Sequence, residues 1–228
     1  MRYGLCIAAA ALLTTLAVPA GATALQAPKD RKIRVAVVLT DGATMIDFAG
    51  PWEVFQDVMI PERGENMEQQ MPFQLFTVGA SRDPIRTSGG MTVVPDYSFA
   101  DAPDADVVVV GAQRGAPELT DWLKKSRGRS QVVMSVCTGA FKLADAGLFD
   151  GKQATTHHDF LEPFRKRFPK VTLVPARRYV RADSVVFSAG GLTSGIDLAL
   201  HVVELYFGRK AAERTAEYME YQGTGWRN

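Results

Sequence analysis

The chain has 228 residues, 46% of them hydrophobic, which suits one domain with a sizeable core. Basic and acidic residues number 26 and 25, so there is no cationic excess to drive binding to phosphate backbones. A nucleic-acid partner is therefore not expected.

Residues 1–24 have the form of an export signal. Arg2 is the sole charge before the apolar run Leu5 to Val18, and a small-residue stretch ends in Ala22-Thr23-Ala24. This order predicts cleavage after Ala24 and a periplasmic or secreted protein. The run is short for a membrane span, and no long apolar run follows it, so no membrane association is expected after cleavage. Cys6 leaves with the signal. Cys137 then stands alone, which excludes a disulfide framework.

Residues 25–32 read as a polar linker, 33–222 as one domain and 223–228 as a tail. Ile33 to Leu39 is a mostly apolar, β-branched run and predicts a strand buried on both faces, as in a parallel sheet. Asp41-Gly42 marks a turn. Ile46 to Met59 predicts a helix with Pro51 near its start, where a missing N–H is tolerated. Pro61 to Gln70 reads as a polar loop, Phe73 to Gly79 as the second strand, and Met91 to Val94 as half of an edge hairpin. Asp106 to Gly111, with four consecutive valines, predicts a central strand. A helix from Pro117 to Arg127 precedes the strand Gln131 to Val136, and a small-residue helix then stops at Gly147. Ala154 to Thr156, Val171 to Val174 and Val185 to Phe187 predict short strands, with a helix from Asp159 to Phe168 between the first two. Ser194-Gly195-Ile196-Asp197 has the form of a capping box. It opens a helix that presents Ile196, Ala199, Leu200, Val203 and Phe207 on one face and ends at Gly208. A polar helix follows to Tyr221. Strands alternating with helices predict an α/β fold, a doubly wound, mostly parallel sheet sandwiched by helices.

Ligands of such sheets bind beyond the carboxyl ends of the strands. Cys137 lies at such an end, where a strand turns at once into a helix. Unpaired N–H groups and the helix dipole there favour a thiolate, so Cys137 is the candidate nucleophile; the alternative is a buried structural cysteine. Asp47 follows the first strand and can reach the same crevice, as a proton carrier or merely as a helix cap. His157, in Thr155-Thr156-His157-His158-Asp159, could serve as acid, base or orienter. The adjacent histidines lack a recurring metal-ligand spacing, and neither a metal nor another cofactor is expected. Gly111-Ala112-Gln113 could aim backbone N–H groups at developing negative charge, or form an ordinary turn. His201 reads as a surface partner of Asp197.

The block Ser135-Val136-Cys137-Thr138-Gly139-Ala140, the stretch Ala154-Thr155-Thr156-His157 and the block Gly190-Gly191-Leu192-Thr193-Ser194-Gly195-Ile196-Asp197 together resemble the ThiJ/PfpI superfamily. The resemblance runs from Ile33 to Gly208. It implies a flavodoxin-like, class I glutamine-amidotransferase-like fold, a homodimer, and a cysteine on a strained elbow beside an acidic residue, here Asp47. Asp47-Phe48-Ala49-Gly50-Pro51 and Cys137-Thr138-Gly139 look most like isonitrile hydratases and the ligand domains of AraC-type regulators. The hydratase resemblance implies a small-molecule isonitrile substrate, Cys137 as nucleophile, Asp47 in proton transfer and Thr138 positioning water or the intermediate. Thr138, where the peptidase-like branch has histidine, counts against a Cys-His protease. His157 matches a histidine of the parkinsonism-associated deglycase-like branch, so a glyoxalase or carbonyl-repair activity stays open, although that branch has Glu where this chain has Asp47. A non-catalytic binding or redox-sensing domain is the third reading. A DNA-binding regulator is not expected, because no basic recognition helix follows and an export signal points away from DNA.

Overall fold

The structure is a computed structural model that describes residues 24–227. The signal-peptide reading, apart from Ala24, lies outside the described residues. Seven strands form the main sheet: β1 Ile33–Val38, β2 Phe73–Gly79, β3 Tyr97–Ser98, β4 Val107–Val110, β5 Val132–Val136, β6 Tyr179–Arg181 and β7 Val186–Ala189. Their spatial order is β6-β7-β5-β4-β1-β2-β3, and every pair is parallel except β6 with β7.

The period of two along the strands explains the layering. Val35, Val37, Val107, Val109, Met134, Val136 and Phe187 point to one face. There they meet α1 (Met45–Gln56), α5 (Ser194–Phe207) and α6 (Arg209–Tyr218). Ala36, Val38, Val108, Val110, Val133 and Val186 point to the other face. They meet α2 (Leu119–Arg127), α3 (Gly139–Asp145) and α4 (Leu161–Arg167). Both faces are apolar, which is why these runs show no hydrophobic–polar alternation. Among the described residues no helix is long and apolar enough to cross a membrane.

Register places the functional edge. Val38 pairs with Val110, Val110 with Ser135, and Ala189 with Val136, so β1, β4, β5 and β7 end at nearly one level. The chain runs from β1 toward β2 on one side and from β4 toward β5 on the other. A crevice therefore opens beyond β1 and β4.

Several local expectations change. Two strands of the main sheet, β3 and β6, went unread; each is three residues or shorter. Ile85–Arg86 and Thr92–Val93 form a separate antiparallel ribbon, as the hairpin reading anticipated. The segment read as a loop, 61–70, contains a 3₁₀ turn and the short helix Met67–Gln70, closed by a capping box between Asn66 and Gln69. Pro51 sits in the interior of α1 rather than near its start. A proline there withdraws the N–H that the carbonyl four residues back, that of Asp47, would otherwise accept. The capping box expected at Ser194 is not formed. Thr193 is the N-cap of α5 and makes no side-chain cap bond, while Asp197 is buried against Arg178 Nε at 2.5 Å. His201 is not a surface partner of Asp197. It stacks on Tyr179 with ring centroids 4.7 Å apart and faces Glu204 at 3.4 Å.

Both ends of the described residues are tied to the body. Leu25 N–H donates to the Leu205 carbonyl, and Arg31 makes two hydrogen bonds to the Asp106 carboxylate. The segment read as a tail carries Trp226, which is fully buried against α5 and donates from Nε1 to the Gly223 carbonyl at 3.1 Å. Trp226→Ala should therefore cost about 3–5 kcal/mol of folding stability, the range for removing a large buried aromatic, measured as a fall in the urea midpoint. A midpoint unchanged within error would show that residues 223–227 do not belong to the folding unit.

Candidate active site

Cys137 directly follows β5 with φ at +58°, a left-handed conformation that is unusual outside glycine. The turn holds because its surroundings over-determine it. Cys137 N–H donates to the Gly190 carbonyl at 2.8 Å, and the Cys137 carbonyl accepts from Thr156 Oγ1 at 2.9 Å. Gly139 then passes so close to β4 that a Cβ there would lie 2.0 Å from the Val110 carbonyl oxygen. Only glycine allows that approach, and the approach sets the direction in which α3 leaves the elbow.

Asp47, in the first turn of α1, is fully buried. Its Oδ2 accepts from the Ala112 N–H at 3.0 Å, a bond that spans the crevice between the turns after β1 and β4. Its Oδ1 has no hydrogen-bond partner in normal geometry among the described residues. The Cys137 thiol and the Leu192 N–H both act on the carboxylate from longer range. Burial pushes the Asp47 carboxyl up to about 6, against the pull of these donors.

The thiol is pushed up to about 11, first by burial and then by the negative charge of Asp47. The N–H groups of Thr138 and Leu192 oppose this by favouring the anion. The elbow therefore does not hold a resting thiolate at neutral pH, contrary to the expectation from its place at a helix start. Desolvation and a neighbouring carboxylate outweigh the backbone donors. The resting pair is a neutral thiol beside an ionised carboxylate.

Leu192 was not singled out from the sequence. It too is left-handed, at φ +53°, a rare conformation for a bulky residue. The available signal was the preceding Gly190-Gly191. A Cβ on Gly191 would lie 2.2 Å from His157 Cδ2, so His157 packs directly on this turn. Thr155 N–H donates to Ser188 Oγ at 2.8 Å and Thr156 holds the elbow, which fixes the segment leading into His157. His157 Nδ1 accepts from the Asp159 N–H at 3.2 Å, which assigns its proton to Nε2. His157 lines a cleft of about 420 Å³ that adjoins the elbow through Thr156, Gly190, Gly191 and Leu192. The Thr138 hydroxyl is half-buried and makes no hydrogen bond among the described residues, so it is free to meet a ligand.

The turn after β4 serves Asp47 more than it serves a ligand. The Ala112 N–H is taken by Asp47, and Gly111 lies against the Asp47 side chain. Gln113 turns inward: Oε1 accepts from the Thr40 N–H at 2.7 Å, and Nε2 donates to the Val38 carbonyl at 3.2 Å. Gly111 and Ala112 thus shape and hold the carboxylate, while Gln113 ties the turn to the end of β1. His157, His158 and Asp159 could each supply a metal ligand atom within 4.8 Å of one another. Asp159 already lies 3.1 Å from His158 Nε2, which accounts for the grouping as a surface pair.

Comparison with known proteins matches residues 33–205 to the DJ-1/PfpI family. The chain belongs to the DJ-1/PfpI family. It is 29% identical over 198 residues to the isonitrile hydratase of Pseudomonas putida, covering 83% of this chain and 78% of that one. It is 27% identical over 194 residues to the HTH-type transcriptional regulator GbdR of Pseudomonas aeruginosa, covering 82% of this chain but only half of the regulator. Among solved structures, a ThiJ/PfpI family protein from Pseudomonas syringae superposes with a TM-score of 0.67 at 26% identity, covering 85% of this chain and 76% of that one. The flavodoxin-like sheet expected from the resemblance is thus the fold found. Membership of the DJ-1/PfpI family frames the elbow but does not by itself choose between its hydratase and regulator members.

The raised Asp47 carboxyl has a sign that can be measured. The folded protein holds this proton more tightly than the unfolded chain, so Asp47 favours folding below the ordinary carboxylate range. That contribution is lost as pH rises through about 6. The stability of wild type relative to Asp47→Asn should therefore fall between about pH 4 and about pH 6, by about 3 kcal/mol, and stay level from there to about pH 8. Denaturant melts at several pH values provide the check. A flat difference across this window would remove the case for a destabilised buried carboxylate.

Proposed function

We propose that this protein is an exported, cysteine-dependent hydratase that converts isonitriles to N-substituted formamides. The observation that carries the reading is the pairing, across the crevice, of a neutral Cys137 thiol with a buried, ionised Asp47 carboxylate that burial lifts above the ordinary carboxylate range, to about 6. The Pseudomonas putida relative named as an isonitrile hydratase supports it. The apolar run after Arg2 supports export.

Isonitrile carbon is both electrophilic and able to accept a proton. Cys137 Sγ forms the S–C bond while Asp47 takes the thiol proton and passes it to that carbon, giving a thioimidate. A carboxyl group near 6 suits this relay, because it accepts and returns a proton at little cost near neutral pH. Water, oriented by the Thr138 hydroxyl, adds to the thioimidate carbon, and one of its protons goes to nitrogen. The C–S bond breaks, the remaining hydroxyl proton returns to sulfur through Asp47, and the formamide leaves. The N–H groups of Thr138 and Leu192, which favour the sulfur anion, support sulfur both in attack and as the leaving group.

A binding or regulatory role is the second reading, supported by the regulator relative. Turnover separates the two. Formamide should appear from a simple isonitrile, and Cys137→Ala should abolish it. Asp47→Asn should lower kcat by about 10²–10⁴-fold, the usual weight of a positioned acid–base group. The wild-type kcat/KM should rise with pH through about 6, as Asp47 ionises, and level off above. A Cys137→Ala protein that still makes formamide would contradict the mechanism, and absence of turnover by wild type would favour the binding role.

A further inference from the structure

The cleft beside the elbow is lined by Arg177, Arg178, His157 and His158, together with Thr193, and by no carboxylate. Two of these groups already have a carboxylate beside them, Asp197 at Arg178 and Asp159 at His158, so the positive charge of the cleft rests on Arg177. The two arginines are not equivalent. Arg178 is neutralised, with Nε 2.5 Å from Asp197 and a second bond from its guanidinium to Thr193 Oγ1 at 3.0 Å. Arg177 makes no ion pair and no side-chain hydrogen bond among the described residues. It lies just after Ala176, which is held left-handed at φ +57°. Arg177 and Arg178 also line a second cleft, of about 260 Å³, where Arg181 joins them. Arg181 has no carboxylate partner among the described residues either; its Nε donates to the Asp183 carbonyl and its guanidinium lies over Phe187. Of the two arginines shared by the clefts, Arg177 alone is unneutralised, Arg181 adds a second such guanidinium in the second cleft, and concave walls focus the field.

We infer that the substrate of this site carries a carboxylate, and that Arg177 is the residue that recognises it. The inference rests on the hydratase reading for the reacting group, but its anion claim is separate. A guanidinium offers forked donors that match a carboxylate in two parallel bonds. A bound carboxylate would supply the partner that Arg177 lacks, while the isonitrile end extends past Gly191 and Leu192 toward Cys137. Arg178, tied to Asp197 and Thr193, forms a fixed wall.

The test compares 3-isocyanopropanoate with its methyl ester as substrates for the purified protein. The carboxylate should be preferred by roughly 10–100-fold in kcat/KM at low salt, mainly through KM, in line with a charge-assisted pair. That preference should collapse in Arg177→Gln and reverse in Arg177→Glu. In the wild type it should shrink as ionic strength rises, which checks the claim without any substitution. Equal use of acid and ester, or a preference that survives Arg177→Glu, would overturn it. If neither isonitrile is consumed, the hydratase reading fails, and calorimetry with N-formyl-β-alanine and its methyl ester decides the anion claim alone. Selective binding of the acid, lost in Arg177→Glu, would uphold it, whereas equal or absent binding would overturn it.

Discussion

The site depends on one interaction, between a buried carboxylate and a buried thiol at the mouth of the sheet. Neither group is comfortable there. Burial raises both the Asp47 carboxyl and the Cys137 thiol, and the charge of the first raises the second further. Such a pair persists only because the fold restrains each member independently. Asp47 is held by the Ala112 N–H across the crevice, and Cys137 by the Gly190 carbonyl and by Thr156. The level ends of β1, β4, β5 and β7 bring those restraints together.

Strain is concentrated at the same place. Cys137 and Leu192 are both left-handed without being glycine, and they approach from the ends of adjacent strands, β5 and β7. Left-handed non-glycine residues cost on the order of 1–3 kcal/mol each. The gain is directional: the N–H groups of Thr138 and Leu192 converge on sulfur. A resting neutral thiol with anion-favouring donors already in place gains most when negative charge develops, not before. This differs from a cysteine kept as thiolate, and a protonated thiol is less open to oxidation than a thiolate.

The architecture was legible because its strands are long apolar runs. Ile33 to Leu39, Val107 to Val110 and Val132 to Val136 are buried on both faces, which leaves mostly apolar stretches rich in β-branched residues. β3 and β6 were not legible because two or three residues carry no periodicity. Cys137 and Asp47 could be paired from sequence, since each follows a strand on the same side of the sheet. The role of Leu192 could not, because it acts through backbone N–H direction, which residue type does not encode. Gln113 and Asp197 were misplaced for a related reason: their long-range partners, Thr40 and Arg178, decide what they do, and a local window sees neither.

The most direct test is to follow the thiolate absorbance of Cys137 against pH in the protein lacking residues 1–24 and in its Asp47→Asn variant. The account predicts a wild-type thiol that stays protonated through neutral pH and ionises only well above the ordinary cysteine range. Removing the carboxylate charge should bring that transition down. A wild-type thiolate already formed below pH 7, with a transition that Asp47→Asn does not move, would contradict the picture of Asp47 as the acceptor of the Cys137 proton.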